Sequence, residues 1–63
     1  MTDFEKIFEV VKTLNKEQFQ VTTYGPYDDG STFLGTYRIK DRIETHFIFD
    51  KKGKLTDIWT ETF

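Results

Sequence analysis

Apolar residues in the first segment recur at helical spacing. Phe4, Ile7, Phe8, Val11 and Leu14 follow the i, i+3, i+4, i+7 rule, with Glu5, Lys6, Glu9, Lys12 and Lys16 off that stripe. Thr2 stands where an N-cap belongs, and Glu5, three residues on, completes the capping-box pattern. Asp3 and Glu5 fall in the first turn, where the helix dipole favours negative charge. The spacing predicts a helix over residues 2–14, stopped at Asn15-Lys16.

The period then drops to two. Phe19 and Val21 alternate with Gln18, Gln20 and Thr22, and Thr22-Thr23-Tyr24 favours strand. A turn-rich cluster at 25–31 breaks the run. A second strand is predicted at 32–39, a polar turn at Lys40-Asp41-Arg42, and a third strand at 43–49. Asp50-Lys51-Lys52-Gly53 is a hairpin turn, with glycine supplying the positive φ that closes it, and 54–62 is the last strand. Consecutive strands joined by short loops pair as antiparallel neighbours. The expected fold is α+β: one N-terminal helix packed on a four-stranded antiparallel β-meander, α-β-β-β-β, in a single domain spanning 1–63.

Alternation assigns the faces. Phe19, Val21, Phe33, Tyr37, Ile39, Ile43, Phe47 and Phe49 are expected beneath the helix, with Tyr24, Leu34, Arg38, His46 and Ile48 on the opposite side. In the last strand Leu55 and Trp59 share a side with Asp57 and Glu61, and Ile58 takes the other, so one large apolar residue must point away from the helix. A solvated sheet face alternates more cleanly than this. Apolar residues on both faces predict a contact patch of Leu34, Arg38 and Ile48 with Trp59 or Ile58, and Tyr24 and Tyr27 at the loop are further contact candidates.

Composition narrows the function classes. The 63 residues contain no cysteine, which removes disulfides and thiolate metal sites, and the single histidine does not make the usual zinc ligand set. Aromatic residues make up 17% of the chain, enough to support a small core without such staples. The net charge is −2, with both signs interspersed, which argues against a basic face for duplex DNA. The first residues carry acids among apolar side chains, unlike a signal peptide, and no run approaches the roughly 18 apolar residues of a membrane span. No membrane partner is expected, and the default compartment is the cytoplasm.

Two stretches invite a chemical reading. In Tyr24-Gly25-Pro26-Tyr27-Asp28-Asp29-Gly30 the paired acids miss the Tyr-x-Asp-Asp register of polymerase metal sites and the alternating acids of calcium loops. Turn chemistry accounts for the segment, except for its tyrosines. His46 has Glu44 and Asp50 at alternating positions, but nothing completes a nucleophilic set, and Ser31 lies in a loop. The chain is therefore expected to be a non-enzyme with no cofactor and no metal. The leading expectation is a protein-binding or self-associating module acting through the open sheet face on a second copy or a larger target. A small regulator or inhibitor, such as a phage-encoded one, fits the size. Single-stranded nucleic acid ranks second, with aromatic side chains stacking bases and Arg38, Lys40 and Arg42 holding phosphates.

Overall fold

Thr2 and Glu5 make the capping box: Thr2 Oγ1 accepts from the Glu5 N–H, and Glu5 Oε1 accepts from the Thr2 N–H, each at 3.1 Å. In the structure, a computed structural model describing all 63 residues, α1 runs Asp3–Val11. It is shorter than the periodicity predicts because the chain tightens after Val10. The Thr13 hydroxyl donates to the Val10 carbonyl at 2.7 Å, and the Thr13 and Leu14 N–H groups reach back three residues rather than four. Four strands follow: β1 (Phe19–Tyr24), β2 (Thr32–Arg38), β3 (Ile43–Phe49) and β4 (Leu55–Thr62). They form one antiparallel sheet in the order β1-β2-β3-β4.

Directly opposed residues of an antiparallel pair share a face, so the register sorts the side chains. Thr23, Leu34, Phe47 and Ile58 form one cross-strand row, and Leu34 and Phe49 join Val11 of α1 in the core. Phe4, Ile7, Leu14, Phe47 and Leu55 pack around that centre. The core is small and lies under the middle of a single helix.

Two expectations from alternation are overturned, the faces of β2 and the shared side of Leu55 and Trp59 in β4. The first concerns β2, whose phase is inverted. Leu34 is 0% exposed beneath α1, whereas Phe33 and Tyr37 lie on the outer face with His46 and Glu44. The Thr32–Arg38 strand carries apolar residues on both parities, so their count alone favoured the wrong side. In the structure Leu34 packs between Thr23 and Phe47, and Phe33 lies over Gly35 on the open side. Leu34 is therefore core rather than contact surface. Arg38 shares its parity at the strand end, and Ile39 lies past the strand, exposed.

The second concerns β4. A register shift pairs Ile48 with Asp57 and Phe49 with Leu55, leaving Thr56 as an extra residue. This β-bulge puts Leu55 under the helix and Trp59 on the outer face, although the two are four residues apart. Asp3 Oδ2 accepts the Leu55 N–H at 2.9 Å, and the Gly53 carbonyl accepts the Phe4 N–H at 2.9 Å. The N-terminus of α1 is thus tied to the β3–β4 hairpin. Ile58 lies on the helix side but beyond the reach of α1, 53% exposed.

Phe49→Ala should cost about 3–5 kcal/mol, the usual loss for truncating a buried ring, and a thermal melt should show little folded protein left. Phe8, stacked on Phe4 at the helix flank and 37% exposed, is the contrasting site: Phe8→Asp should cost roughly 1–2 kcal/mol.

Asp50 gives a pH prediction. Its Oδ1 accepts the Lys54 N–H at 2.9 Å and the Lys52 N–H at 2.8 Å, and the Lys54 bond above all holds its carboxyl below the ordinary range. The folded pKa lies below the unfolded one, so the contribution is present above the unfolded value and is lost as pH falls through the folded value, below about pH 4. Asp50→Asn should therefore flatten the acid limb of the melting temperature against pH while changing its slope little at neutrality.

Candidate functional site

The outer face of the sheet consists of three cross-strand rows. Nearest the β2–β3 turn stand Gln20, Tyr37, Glu44 and Glu61; next come Thr22, Gly35, His46 and Trp59; farthest are Tyr24, Phe33, Ile48 and Asp57. Rings connect the second and third rows. Tyr24 lies 5.9 Å from Phe33 between centroids, Phe33 5.4 Å from His46, and His46 4.9 Å from Trp59 with planes only 8° apart. Aromatic side chains thus cross all four strands in a continuous diagonal.

Gly35 makes the diagonal possible. A Cβ there would lie 2.9 Å from Phe33 Cζ and 3.0 Å from Phe33 Cε1, so the Phe33 ring occupies the space an ordinary side chain would take. A strand glycine loses cross-strand packing, and a neighbouring ring laid over it restores contact. The ring leans from its own row into that of His46, which explains why His46 is only 8% exposed on the face opposite the helix. Gly35, Phe33, Tyr24 and Glu44 help to line a groove of about 260 Å³ on this face.

His46 is the centre of the charged part of the face. Its Nε2 lies 2.7 Å from Glu44 Oε1 and 3.5 Å from Glu61 Oε2. The shorter contact is an ion-pair distance, yet the carboxylate stands outside hydrogen-bond geometry, and Nε2 is buried with no hydrogen-bond partner. Asp50, which alternation placed beside His46, is instead committed to the β3–β4 turn.

The remaining sequence candidates are dispersed. Ile48 and Trp59 are on the outer face, half-buried and 38% exposed respectively, and Tyr24 there is 59% exposed. Tyr27 is exposed in the 25–31 loop. That loop closes on itself: Tyr27 N–H donates to the Ser31 carbonyl at 2.8 Å, and Asp29 Oδ1 accepts from the Ser31 hydroxyl at 2.6 Å and its N–H at 2.9 Å. The Ser31 hydroxyl, then its N–H, hold the Asp29 carboxyl below the ordinary range. Asp29 thus serves the turn. Arg38 pairs with Asp41 at 3.1 Å, and Lys40 and Arg42 are exposed in the β2–β3 turn. The row containing Glu44 and Glu61 stands between these basic residues and the rings.

Three outer-face residues escaped the sequence reading: Phe33, Tyr37 and Glu61. The Glu44-x-His46 spacing was visible, but Glu61 joins it only through the β3–β4 register, which the bulge sets. A second feature, an apolar groove of about 500 Å³ between α1 and β1 lined by Phe8, Leu14, Phe19 and Val21, was also missed.

Gly35→Ala should displace the Phe33 ring and cost roughly 1–3 kcal/mol, the range for overpacking. The Phe33 part of the ring-current shifts on His46 should be lost in the variant's NMR spectrum while the part from stacked Trp59 is kept; a spectrum with those shifts unchanged would show that the ring does not rest on Gly35.

Compared with known proteins, the chain matches no family model, no curated protein sequence and no solved structure.

Proposed function

We propose that the chain is a non-enzymatic protein-binding module whose outer sheet face is its contact surface, joining a second copy or docking on a larger protein as a small regulator or inhibitor. The observation that carries this reading is the ring diagonal from Tyr24 to Trp59, open on the side that α1 does not cover. Aromatic residues with partly exposed faces are the side chains most enriched at interface centres. The total accessible surface points the same way. It is 4772 Å², against about 4,200 Å² for an ordinary monomer of this mass.

The reading as a non-enzyme rests on the shape of the face. The groove beside the titratable cluster, at about 260 Å³, is smaller than the roughly 300–1,000 Å³ of most small-molecule sites. No helix is long and apolar enough to cross a membrane. A cytoplasmic setting belongs to the same proposal.

Single-stranded nucleic acid is the second reading, favoured by the rings and disfavoured by the charges. Phosphates flanking a stacked base need cations beside the rings. Here Glu44 and Glu61 hold that position, and Arg38 is paired with Asp41.

Light scattering over a concentration series, with capture of interacting proteins, tests the proposal on the wild type and on the double variant Tyr24→Ser, Trp59→Ser. Because Trp59 also stacks on His46, association is compared only where circular dichroism shows a folded sheet, with Tyr24→Ser alone, at a residue 59% exposed, as the milder variant expected to weaken association in the same direction. The expected result is association by the wild type, weakened at least tenfold in the variant. A wild type that stays monomeric and captures the same proteins as the variant would sink the reading. Saturable oligonucleotide binding lost in the variant would transfer the face to nucleic acid.

A further inference from the structure

We infer that Glu44, His46 and Glu61 form a site for a divalent transition-metal cation, with zinc(II) as the best match to its donors. Their ligand atoms lie within 4.8 Å of one another on the outer face. The spacing by itself is a weak sign, because exposed acidic groups often gather without a metal. Two further observations strengthen it.

The first is His46 Nε2. The residue is 8% exposed, and its buried Nε2 has Glu44 Oε1 at 2.7 Å and Glu61 Oε2 at 3.5 Å, neither of them in hydrogen-bond geometry. So close a contact between nitrogen and carboxylate oxygen is unfavourable unless a positive charge, a proton or a metal ion, lies between them. Stacking on Trp59, with ring planes 8° apart, fixes the imidazole by its face and leaves its edge directed at the two carboxylates. The second is the register. Glu44 and Glu61 are directly opposed across β3 and β4, a like-charge pair that destabilises a sheet unless a cation lies between. A metal ion would answer both problems, accepting the Nε2 lone pair and neutralising the opposed acids.

The distances suit a small cation. Zinc bonds to imidazole nitrogen and carboxylate oxygen are about 2.0–2.2 Å, which places ligand atoms at tetrahedral angles roughly 3.3 Å apart. Nε2 is 2.7 Å from Glu44 Oε1 and 3.5 Å from Glu61 Oε2, so side-chain shifts on the order of 1 Å would complete the geometry. The Glu61 side chain is 51% exposed and free to make them. One nitrogen and two carboxylates suit zinc or cobalt better than magnesium, which prefers an all-oxygen shell. Three protein ligands leave a fourth position for water or for a donor group from outside. The histidine count had argued against zinc, but a set of one imidazole and two carboxylates needs only one histidine.

Protonation of His46 is the competing way to place a positive charge between the acids, and the test separates the two. Trp59 is the sole tryptophan and stacks on the imidazole, so its fluorescence reports directly on the site. Cobalt(II) added at pH 7.5 should quench that fluorescence saturably, and zinc(II) should compete the quenching away. Zinc(II) at a hundredfold excess over its dissociation constant should raise the melting temperature by on the order of 10 °C, and magnesium at equal ionic strength should not. Glu44→Gln and Glu61→Gln, both at partly exposed side chains, should fold and should each weaken the response roughly tenfold or more. A melting temperature that zinc raises no further than magnesium does would overturn the site. So would a zinc response equal in wild type and both variants. These readouts concern the isolated chain, so the site stands or falls independently of the protein-binding reading.

Discussion

One extra residue in β4 organises the molecule. Without the bulge at Thr56, strict alternation would hold Leu55, Asp57, Trp59 and Glu61 on a single face. Turning that face inward would take Trp59 off the His46 ring and Glu61 away from its Nε2. Turning it outward would remove Leu55 from the core. The bulge lets Leu55 point in and the other three point out. Asp3 accepts the Leu55 N–H, and the Gly53 carbonyl receives a helix N–H that has no partner within the helix. Gly53 serves both ends of this joint: its φ is +81°, and a Cβ there would lie 2.8 Å from Thr2 Cβ. Helix start, turn and bulge therefore form one unit.

That joint sets where the helix lies, and the helix is too small for the sheet. Nine residues make a rod about 13 Å long and some 10 Å wide. Four strands at about 4.8 Å spacing are wider than this, and their length exceeds 20 Å. The cover centres on Leu34 and Phe49, so Val21 on one edge strand and Ile58 on the other remain exposed on the helix side. Little of the stability can come from a conventional core. Rings on the outer face supply a second, half-wet layer, in which Phe33 and Trp59 shield His46 and gain contact area without a covering element.

Much of this was legible in the chain and some was not, for physical reasons. The capping box, the amphipathic stripe and the Asp50–Gly53 turn depend on neighbours within four residues, and the structure shows each of them. Element order followed from loop lengths. Face assignment failed in β2, where both parities carry apolar residues and the choice depends on what Thr23 and Phe47 offer across the ladder. It was undetermined in β4, where a bulge has no strong local signature in Leu55-Thr56-Asp57. Glu44 and His46 were a visible i, i+2 pair. Their meeting with Glu61 is a long-range consequence of register, and no local pattern encodes it.

The outer face also shows where local rules give way. Over most of the chain the sequence is consistent with its fold: a cap at the helix start, glycine at the β3–β4 turn and apolar side chains in the core, with Arg42 at φ +56° in the β2–β3 turn as an exception. On this face a glycine sits mid-strand, two acids oppose each other, and a buried imidazole nitrogen meets both acids without a hydrogen bond. The opposed acids cost stability, the glycine is tolerated only because the Phe33 ring covers it, and a domain this small has little to spare. The irregularities adjoin one another: Gly35 opposes His46, and His46 contacts both acids. Independent defects would be expected to scatter over the sheet. Local conflicts concentrated at one place are characteristic of functional sites, where stability is given up for binding. Glu44 and Glu61 also stand in a different row from Tyr24 and Phe33, although Tyr37 shares the acid row and Asp57 the far one, so a partner on the proposed contact face would meet more negative charge near the β2–β3 turn. On that proposal, such an uneven charge would favour one orientation of the bound chain, a constraint that a uniformly apolar patch could not impose.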